Sequence, residues 1–320
     1  MIAKSIRHIE VYLMEKNVFN NSLGNPIHVY LYEPTVQPFK GVVHLIHGAS
    51  EHFARYGLFA EYLNQNGYVA VGCDFLGHGL STDTNDYVHY ADKHGDVIAL
   101  ESLTIVQDFI KSRYPELPVD VLGHSMGSFL ARLMILKKPE FYRKAVISGT
   151  TTMPVATTKM GMFLCNVIGF FKGPKYVSKM VQKMAIDACP AKMRKDGIIK
   201  DRDVEWLTKN VDIQNYYFNS PMCGQPFTVA ANRDMFKWIA FIDTAKNIAK
   251  GDKSMPLFFI SGANDSLSNY GEGVKKLVAL FQQLGYADVT MKLYENDRHE
   301  VLNELDNAKV YADVLAFLNK

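Results

Sequence analysis

Ser125 is surrounded by residues that suit a nucleophile. In the sequence VDVLGHSMGS, Gly123 and Gly127 complete a Gly-x-Ser-x-Gly frame that follows an apolar, strand-like segment and precedes a helix-like one. A strand, a tight turn and a helix are the context of a nucleophile elbow, in which the serine backbone is strained and small neighbours let strand and helix approach closely. The pattern therefore predicts a nucleophilic serine, in preference to an incidental serine in a glycine-rich turn.

His299 is the candidate base for this serine. A serine hydroxyl is a poor nucleophile until a base takes its proton, and after a nucleophile elbow the acid and then the histidine follow in the chain. Only one histidine follows Ser125, namely His299 in YENDRHEVLNE. Its uniqueness in the required half of the chain favours a base over a surface-loop histidine.

Asp265 is the candidate acid that orients the histidine. The acid should lie at the carboxyl end of a strand, and Asp265 ends PLFFISGAND, an apolar strand followed by a turn. Asp252 and Asp288 each precede a predicted strand, which places them at the opposite end of the sheet. Asp297 is a rival because it lies close to His299 in sequence, but two residues leave it little freedom to face Nδ1. Asp265 is therefore favoured over Asp297.

The backbone N–H groups of Ala49 and Met126 are the candidate donors to a tetrahedral oxyanion. Such donors typically come from the residue after the nucleophile and from the loop after the third strand. Met126 follows Ser125, and Ala49 follows the strand VVHLIHG. We interpret His47 and Gly48 as the strand-to-loop turn that leads to Ala49.

Spacing excludes two other types of motif. His47, Glu51 and His52 in HGASEH match neither HExxH nor HxxEH, so no shared metal is expected. The glycines of GHGLS lack the third glycine of a dinucleotide fingerprint, and no Gly-Lys-Ser/Thr follows a glycine loop. The sequence therefore predicts no cofactor and no metal.

Strand-like and helix-like segments alternate along much of the chain. β-Branched and aromatic runs predict strands at 27–32, 42–46, 68–73, 119–122, 145–148, 257–260 and 289–294. Amphipathic periodicity predicts helices at 96–114, 126–136, 273–284 and 306–318. This alternation is typical of an α/β fold with a mainly parallel sheet, with room for antiparallel pairing at one edge. It fails between about 151 and 244, so we predict a core of residues 1–150 and 246–320 and an inserted helical cap of residues 151–245.

Composition and charge indicate a globular protein and argue against nucleic acid as a partner. The 320 residues are 48% hydrophobic and 21% charged, as in a globular chain, and the formal charge of +2 argues against nucleic acid as a partner. The four cysteines form no CxxC pair, which favours isolated thiols in a reducing compartment. Near the N-terminus, charged and polar residues interrupt the chain before an apolar run reaches the length of a signal peptide or a membrane span: Lys4, Arg7, His8 and Glu10. We predict a cytoplasmic protein, and its oligomeric state stays open.

The motifs HGASEHFARY, DFLGHGLS and GHSMGS, followed by Asp265 and His299, resemble those of a known family. It is the monoacylglycerol lipase and lysophospholipase group of α/β-hydrolases, which is similar to the serine aminopeptidases S33 and here looks bacterial in type. The resemblance covers nearly the whole chain and is weakest in the cap. It implies an eight-stranded, mostly parallel sheet with helices on both faces and a cap after the sixth strand. It also implies a triad of Ser125, Asp265 and His299, with oxyanion donors at Ala49 and Met126.

Glu51 and Arg55 match charged positions that lie near the site in this family. The resemblance leaves two roles open for them, either shaping the alcohol side of the pocket or forming an ion pair that steadies the oxyanion loop. The sequence departs from the family pattern at Ser50 and at Ser128, where glycine is usual. Neither change removes a catalytic group, but Ser50 is expected to affect the conformation of the loop and the polarity of the pocket. The cap segment SPMCGQPFT is similar to one in bacterial relatives.

The cap stretch MGMFLCNVIGFF is apolar on almost all sides. Met162 and Phe163 are therefore candidate substrate-binding residues in an acyl tunnel, and the same stretch could touch a membrane surface. A cap helix packed on the core would have the same kind of sequence. Both interpretations stay open at this point.

The expected function is hydrolysis of a carboxylic ester with one acyl chain, such as a monoacylglycerol or a lysophospholipid, through an acyl-enzyme. A short-chain or aromatic ester is an alternative, as is a peptide with a free N-terminus, because one fold and triad serve different substrates. A peptidase would need cap carboxylates to hold the ammonium group, and the candidates are Asp187, Asp201, Asp203 and Glu205. A non-catalytic receptor is disfavoured because it has no chemical need for a complete triad.

Overall fold

A computed structural model describes residues 14–320. The prediction about a signal peptide or membrane span at the N-terminus falls largely on residues 1–13, which lie outside this range. No helix between residues 14 and 320 combines the length and the apolar character that crossing a bilayer requires.

Eight strands form one sheet. Their bounds are β1 Met14–Asn20, β2 Pro26–Tyr32, β3 Gly41–Ile46, β4 Tyr68–Cys73, β5 Val119–His124, β6 Lys144–Ser148, β7 Leu257–Gly262 and β8 Val289–Tyr294. The spatial order is β1-β2-β4-β3-β5-β6-β7-β8. Strand β2 runs antiparallel to β1 and β4, and every other pair is parallel. The predicted α/β fold with an antiparallel edge is therefore confirmed.

Strand β1 is the one that the sequence pattern did not reveal. It lies at an edge of the sheet and most of its residues are exposed. A strand without a buried face lacks the alternation by which a strand is detected. By contrast, every residue of β3, β4 and β5 is buried, as expected for parallel strands covered on both faces.

Helices cover both faces of the sheet. Their bounds are α1 Gly57–Gln65, α2 Gly95–Ile98, α3 Glu101–Arg113, α4 Met126–Lys137, α5 Val155–Lys172, α6 Lys179–Ala185, α7 Ala188–Lys195, α8 Val211–Asn219, α9 Val229–Ile242, α10 Ala245–Ile248, α11 Glu272–Gln283 and α12 Asn307–Leu318. The predicted core helices are confirmed, except that 96–114 is divided into α2 and α3. Alternate residues of β3 feed the hydrophobic clusters on the two faces, with Val42 on one side and Val43 on the other.

The regular alternation stops between β6 and β7. In this part of the described chain the helices α5 to α10 follow one another without a strand of the sheet. Helix α9 packs against α5 and against α4. Its residues Ala231, Met235 and Ile239 belong to the same hydrophobic cluster as the strands. The chain between β6 and β7, called the inserted segment below, is therefore anchored to the sheet through α9.

Candidate active site

Ser125 occupies the turn between β5 and α4. Its φ of 54° and ψ of −120° lie outside the regions that non-glycine residues usually adopt. Its N–H donates to the Ser148 carbonyl at 2.9 Å, and the Ser128 hydroxyl donates to the Ser125 carbonyl at 2.6 Å. These bonds hold the strained turn at the carboxyl edge of the sheet, where Ser125 lines a cavity.

Glycines flank Ser125 because the backbones are in contact there. A Cβ on Gly123 would overlap the Gly127 carbonyl, and a Cβ on Gly127 would overlap the carbonyl oxygen of Ile46 in β3. Helix α4 therefore starts directly against the ends of two strands, as the Gly-x-Ser-x-Gly frame indicates.

His299 and Asp265 are hydrogen-bonded partners. Nδ1 of His299 lies 3.0 Å from Oδ2 of Asp265, and both side chains are buried. The other oxygen of Asp265 accepts the Leu267 N–H at 2.9 Å, which fixes the carboxylate after β7. Burial lowers the pKa of His299, but the carboxylate of Asp265, together with those of Glu300 and Glu51, raises this pKa above its ordinary value. A proton held on Nδ1 leaves Nε2 free to exchange protons in the cavity that Ser125 also lines.

The other aspartates considered from the sequence lie elsewhere. Asp297 pairs with Lys209, whose Nζ is 2.8 Å from Oδ1. Asp252 is exposed and accepts hydrogen bonds from Ser254. Asp288 immediately precedes β8, at the opposite end of the sheet from His299. Of these four residues, all within the described chain, Asp265 is the one that reaches the imidazole.

Two aromatic rings pack against the imidazole of His299. Trp206 of the inserted segment stacks on it with ring centroids 4.4 Å apart and an interplanar angle of 22°, and His124 of β5 packs at 4.7 Å. Burial, and after it the neighbouring His299, lowers the pKa of His124 to about 3, so His124 stays neutral. The N–H groups of His299 and Glu300 donate to the carbonyls of Trp206 and Leu207 at 3.4 and 2.7 Å. The inserted segment therefore holds the His299 loop through both a ring and the backbone.

Ala49 and Met126 line the same cavity as Ser125. Met126 is the first residue of α4, where a backbone N–H has no partner within the helix. Neither N–H donates a hydrogen bond to another residue of the 14–320 range. Two free N–H groups beside a serine hydroxyl suit a developing oxyanion.

His47 fixes the direction of the Ala49 N–H. The Phe75 N–H donates to Nε2 of His47 at 2.9 Å, so we assign the ring proton to Nδ1. Nδ1–H then donates to the Gly48 carbonyl at 2.8 Å. Because the C=O and N–H of a trans peptide point in opposite directions, holding this carbonyl also orients the Ala49 N–H. The sequence pattern showed His47 only as part of a turn and did not reveal this positioning role.

Glu51 belongs to the oxyanion loop, which follows β3 and contains Ala49, and it lines the cavity. It accepts the Gly48 N–H at 2.5 Å and the Tyr56 hydroxyl at 2.8 Å, and it forms an ion pair with Arg55. Burial opposes ionisation of Glu51, but the Arg55 cation and these donors together lower its pKa below the ordinary value. The carboxylate is therefore ionised and holds Gly48 through its N–H, while His47 holds Gly48 through its carbonyl.

Arg55 joins the oxyanion loop to the His299 loop. Its guanidinium donates to both carboxylate oxygens of Glu300 at 2.8 and 2.6 Å, besides its ion pair with Glu51. It also stacks over the Tyr217 ring of the inserted segment at 5.0 Å. Arg55 is buried and is absent from the cavity wall of the described chain, so these contacts favour the structural ion pair over direct contact with substrate.

Ser50 ties the oxyanion loop to the inserted segment. Its φ of 55° lies in the left-handed region that favours glycine. Its hydroxyl donates to the Gln225 carbonyl at 2.7 Å, and its carbonyl accepts the Gly224 N–H at 2.8 Å. The serine therefore makes a bond to the inserted segment that a glycine could not make.

A cavity of about 530 Å³ extends from Ser125 into the inserted segment. Its wall is mostly apolar and includes Phe129, Met153, Leu164, Ile186, Met235 and Ile239. Of the two predicted substrate-binding residues on α5, Phe163 lines the cavity and Met162 does not. Met162 points away because α5 faces the cavity mainly through Met160, Gly161 and Leu164, which lie on one side of the helix.

The polar groups of the site suit acid–base chemistry. Within residues 14–320, no three His, Cys, Asp or Glu side chains are arranged to hold a metal ion. The four cysteines are free thiols. What the cavity offers to a substrate is a hydroxyl, an imidazole and two backbone N–H groups.

This arrangement has a counterpart among known proteins. Residues 37–306 match the model of the hydrolase family described as serine aminopeptidase, S33. The chain belongs to this family. The match spans the elbow, the inserted segment and the loops that carry Asp265 and His299.

Several named proteins are similar to this S33 family member over nearly the whole length of both chains. The chain is 23% identical to the monoglyceride lipase homolog of Monkeypox virus, over 92% of this chain and 94% of that protein. It is 25% identical to the monoacylglycerol lipase of Mycolicibacterium smegmatis, over 90% and 91% of the two chains. Among solved structures, a carboxyl esterase from Bacillus coagulans matches with a TM-score of 0.84 at 21% identity, over 97% and 99% of the two chains. The structural likeness confirms the α/β-hydrolase fold.

Proposed function

We propose that this protein is a serine hydrolase that cleaves a carboxylic ester with one acyl chain, of the monoacylglycerol or lysophospholipid type. The observation that carries the proposal is that Ser125 and the hydrogen-bonded His299 line one end of an apolar cavity. Relatives named monoacylglycerol lipase and carboxyl esterase support this class of substrate.

The geometry suits a two-step acyl transfer. Oγ of Ser125 attacks the ester carbonyl carbon while Nε2 of His299 takes its proton, and Asp265 stabilises the imidazolium that forms. The N–H groups of Ala49 and Met126 donate to the oxyanion of the tetrahedral intermediate. His299 then gives its proton to the leaving alcohol oxygen. A water activated in the same way cleaves the acyl-enzyme and releases the fatty acid.

Residues 151–245 act in this proposal as a cap that holds the acyl chain. Met160, Leu164 and Met184 of the inserted segment line the cavity opposite the sheet. Met160 and Met184 are also largely exposed, so the apolar cavity wall continues onto the outer surface. This continuity supports entry of the acyl chain from a lipid surface in contact with the cap.

The acidic residues favour an ester over a peptide with a free N-terminus. The cap acids considered for an ammonium group do not line the cavity of the described chain: Asp187, Asp201, Asp203 and Glu205. The carboxylates that do line it, Glu51 and Glu300, both pair with Arg55. No carboxylate of the described cavity wall is thus left to receive a substrate cation.

Hydrolysis of 1-monoacylglycerols from short to long chains, with short nitrophenyl esters alongside, tests the proposal. We expect kcat/KM to peak at medium or long chains, because a longer chain buries more apolar surface in the cavity. Ser125→Ala should lower the rate by about 10⁴-fold or more while leaving the circular dichroism spectrum unchanged. Ester hydrolysis retained by Ser125→Ala would overturn the assignment, and activity limited to short esters would contradict the lipid substrate.

A further inference from the structure

One stretch of the inserted segment is strongly basic. Between residues 155 and 186 the sequence contains five lysines and no aspartate or glutamate. All five side chains are exposed, and none forms an ion pair with a described residue: Lys159, Lys172, Lys175, Lys179 and Lys183. Because the whole chain has a formal charge of only +2, the remainder of the protein is net negative. The positive charge is therefore concentrated on this stretch.

The same stretch exposes large apolar side chains. Along α5 these are Met160, Phe163, Val167, Phe170 and Phe171, which recur at intervals of three and four residues and so share one side of the helix. Phe170 and Phe171 are 85% and 75% exposed. On α6, Met180 and Met184 are exposed beside Lys179 and Lys183. We call these exposed lysines and apolar residues of 155–186 the lysine face.

The lysine face adjoins the entrance of the cavity. Met160, Phe163 and Met184 are each more than half exposed and also line the cavity. The helix extends from Met160 to Phe171 over about 16 Å, so the apolar stripe reaches well beyond the cavity. Binding of one acyl chain in the cavity does not account for the exposed apolar side chains at the end of the helix, Phe170 and Phe171.

We propose that the lysine face docks on a lipid surface with anionic headgroups, with the lysines against the headgroups and the aromatic and methionine side chains in the acyl boundary. Cations beside an exposed apolar stripe are the combination by which interfacial helices bind anionic lipid. A neutral lipid surface would leave five unpaired cations without a counterpart. The inference rests on the proposed function, because it supplies the surface from which the ester enters the cavity.

Vesicle sedimentation tests the docking without catalysis. The Ser125→Ala protein is mixed with vesicles of phosphatidylcholine alone or of phosphatidylcholine with phosphatidylglycerol. We expect binding to the anionic vesicles to be tighter by about tenfold or more, and to weaken as salt screens the charges. Replacing the five lysines of the face by glutamine should remove the preference for anionic vesicles, and Phe170→Ser with Phe171→Ser should weaken binding to both kinds.

A matched control removes the same charge elsewhere. Five lysines that are also exposed lie outside the face: Lys93, Lys111, Lys246, Lys250 and Lys276. Their replacement by glutamine should leave the preference for anionic vesicles intact. Equal binding of the starting protein to neutral and anionic vesicles would overturn the proposal, as would an equal loss in this control. Self-association through the face, seen by analytical ultracentrifugation without vesicle binding, would also overturn it and identify a second copy as the occupant.

Hydrolysis of a water-soluble short ester separates this proposal from the proposed function. In the active protein, which retains Ser125, replacing the five lysines of the face by glutamine should leave kcat/KM on that ester unchanged. No lysine of the face contacts Ser125 or His299. Loss of docking with full soluble-ester activity leaves the hydrolase assignment standing. Normal docking by a protein that hydrolyses no ester would instead contradict the assignment and leave the docking surface in place.

Discussion

His299 depends on neighbours from three parts of the chain. Asp265 after β7 binds Nδ1, His124 of β5 packs against the ring, and Trp206 of the inserted segment stacks on it. Besides Asp265, the carboxylates of Glu300 and Glu51 also raise the pKa of His299. Because His124 is neutral at ordinary pH, it adds no second positive charge when the His299 imidazolium forms.

Asp265→Asn should lower the rate by about 10⁴-fold and shift the acid limb of the pH profile. His299 must be neutral to accept a proton, so activity disappears as the pH falls through its pKa, which Asp265 raises against the effect of burial. Without the Asp265 carboxylate, burial is less strongly opposed, so the pKa of His299 falls and the limb should move to lower pH. The measurement is kcat/KM against pH on a soluble ester.

Asp297→Asn is the matched control for that experiment. Asp297 is as deeply buried as Asp265 but pairs with Lys209. We expect kcat/KM within a few-fold of the unchanged protein, and an acid limb at the same pH. The reverse ranking of the two variants would identify Asp297 as the acid and refute the role given to Asp265.

His47→Leu should lower kcat by about 10²-fold with little change in KM, because it frees the Gly48 carbonyl and with it the Ala49 N–H. His47→Asn keeps a donor in the place of Nδ1 and should restore much of the loss. Steady-state kinetics on a soluble ester compare the two variants. If both variants were as active as the unchanged protein, the loop would hold its geometry without His47.

At the scale of elements, buried ions join the loop after β3 to the loop after β8. Arg55 pairs with Glu51 of the first loop and with Glu300 of the second, and all three are almost fully buried. Removing one partner of a buried ion pair leaves an uncompensated charge away from water. The network therefore stabilises the two loops only while it is complete.

Arg55→Met should destabilise the fold by about 3–5 kcal/mol, because it strands two buried carboxylates. Arg113→Met is the control, since Arg113 is about half exposed and pairs with Glu15 and Glu33 at the surface. That change should alter the free energy of unfolding by about 1 kcal/mol or less. Urea unfolding measures both, and equal values for the two variants would show that the Arg55 network adds nothing beyond a surface pair.

The sequence predicted elements and motifs whose cause is local. Buried strands, amphipathic helices and the turn at Ser125 follow from short patterns of residue type, and the structure contains them, with 96–114 divided into α2 and α3. The edge strand β1 has no such pattern because most of its side chains face water. Trp206, Glu300 and the ring proton of His47 act through residues far away in sequence, so no local spacing could reveal them.

At the scale of the whole molecule, the cavity is shared between the sheet core and the inserted segment. Phe129 of α4 belongs to the hydrophobic cluster of the core, whereas Leu164 of α5 and Met235 of α9 come from the inserted segment. The part of a substrate far from Ser125 is thus bounded by residues whose positions depend on how the inserted segment folds. The sequence showed an apolar stretch there but not which side of the helix faces the cavity.

Leu164→Trp should shift the preferred acyl chain to a shorter length, because the larger side chain occupies space in the cavity. Val167→Trp on the same helix is the control, since Val167 is partly exposed and lies outside the cavity wall of the described chain. The chain-length profile of kcat/KM on monoacylglycerols distinguishes them. An unchanged profile for Leu164→Trp would place the acyl chain elsewhere.

Three hydrogen bonds limit how far the inserted segment can be exchanged between related proteins. They join Ser50 to Gln225 and Gly224, and Glu300 to Leu207. A chimaera that receives the segment between β6 and β7 from a relative keeps the Ser50 hydroxyl and the Glu300 N–H, but the backbone groups that they bind then lie where the incoming segment places them. The incoming segment would then meet an oxyanion loop and a histidine loop shaped by a different partner. Substrate range should therefore diversify through point changes inside the cavity wall, while the insertion and the two loops are inherited together.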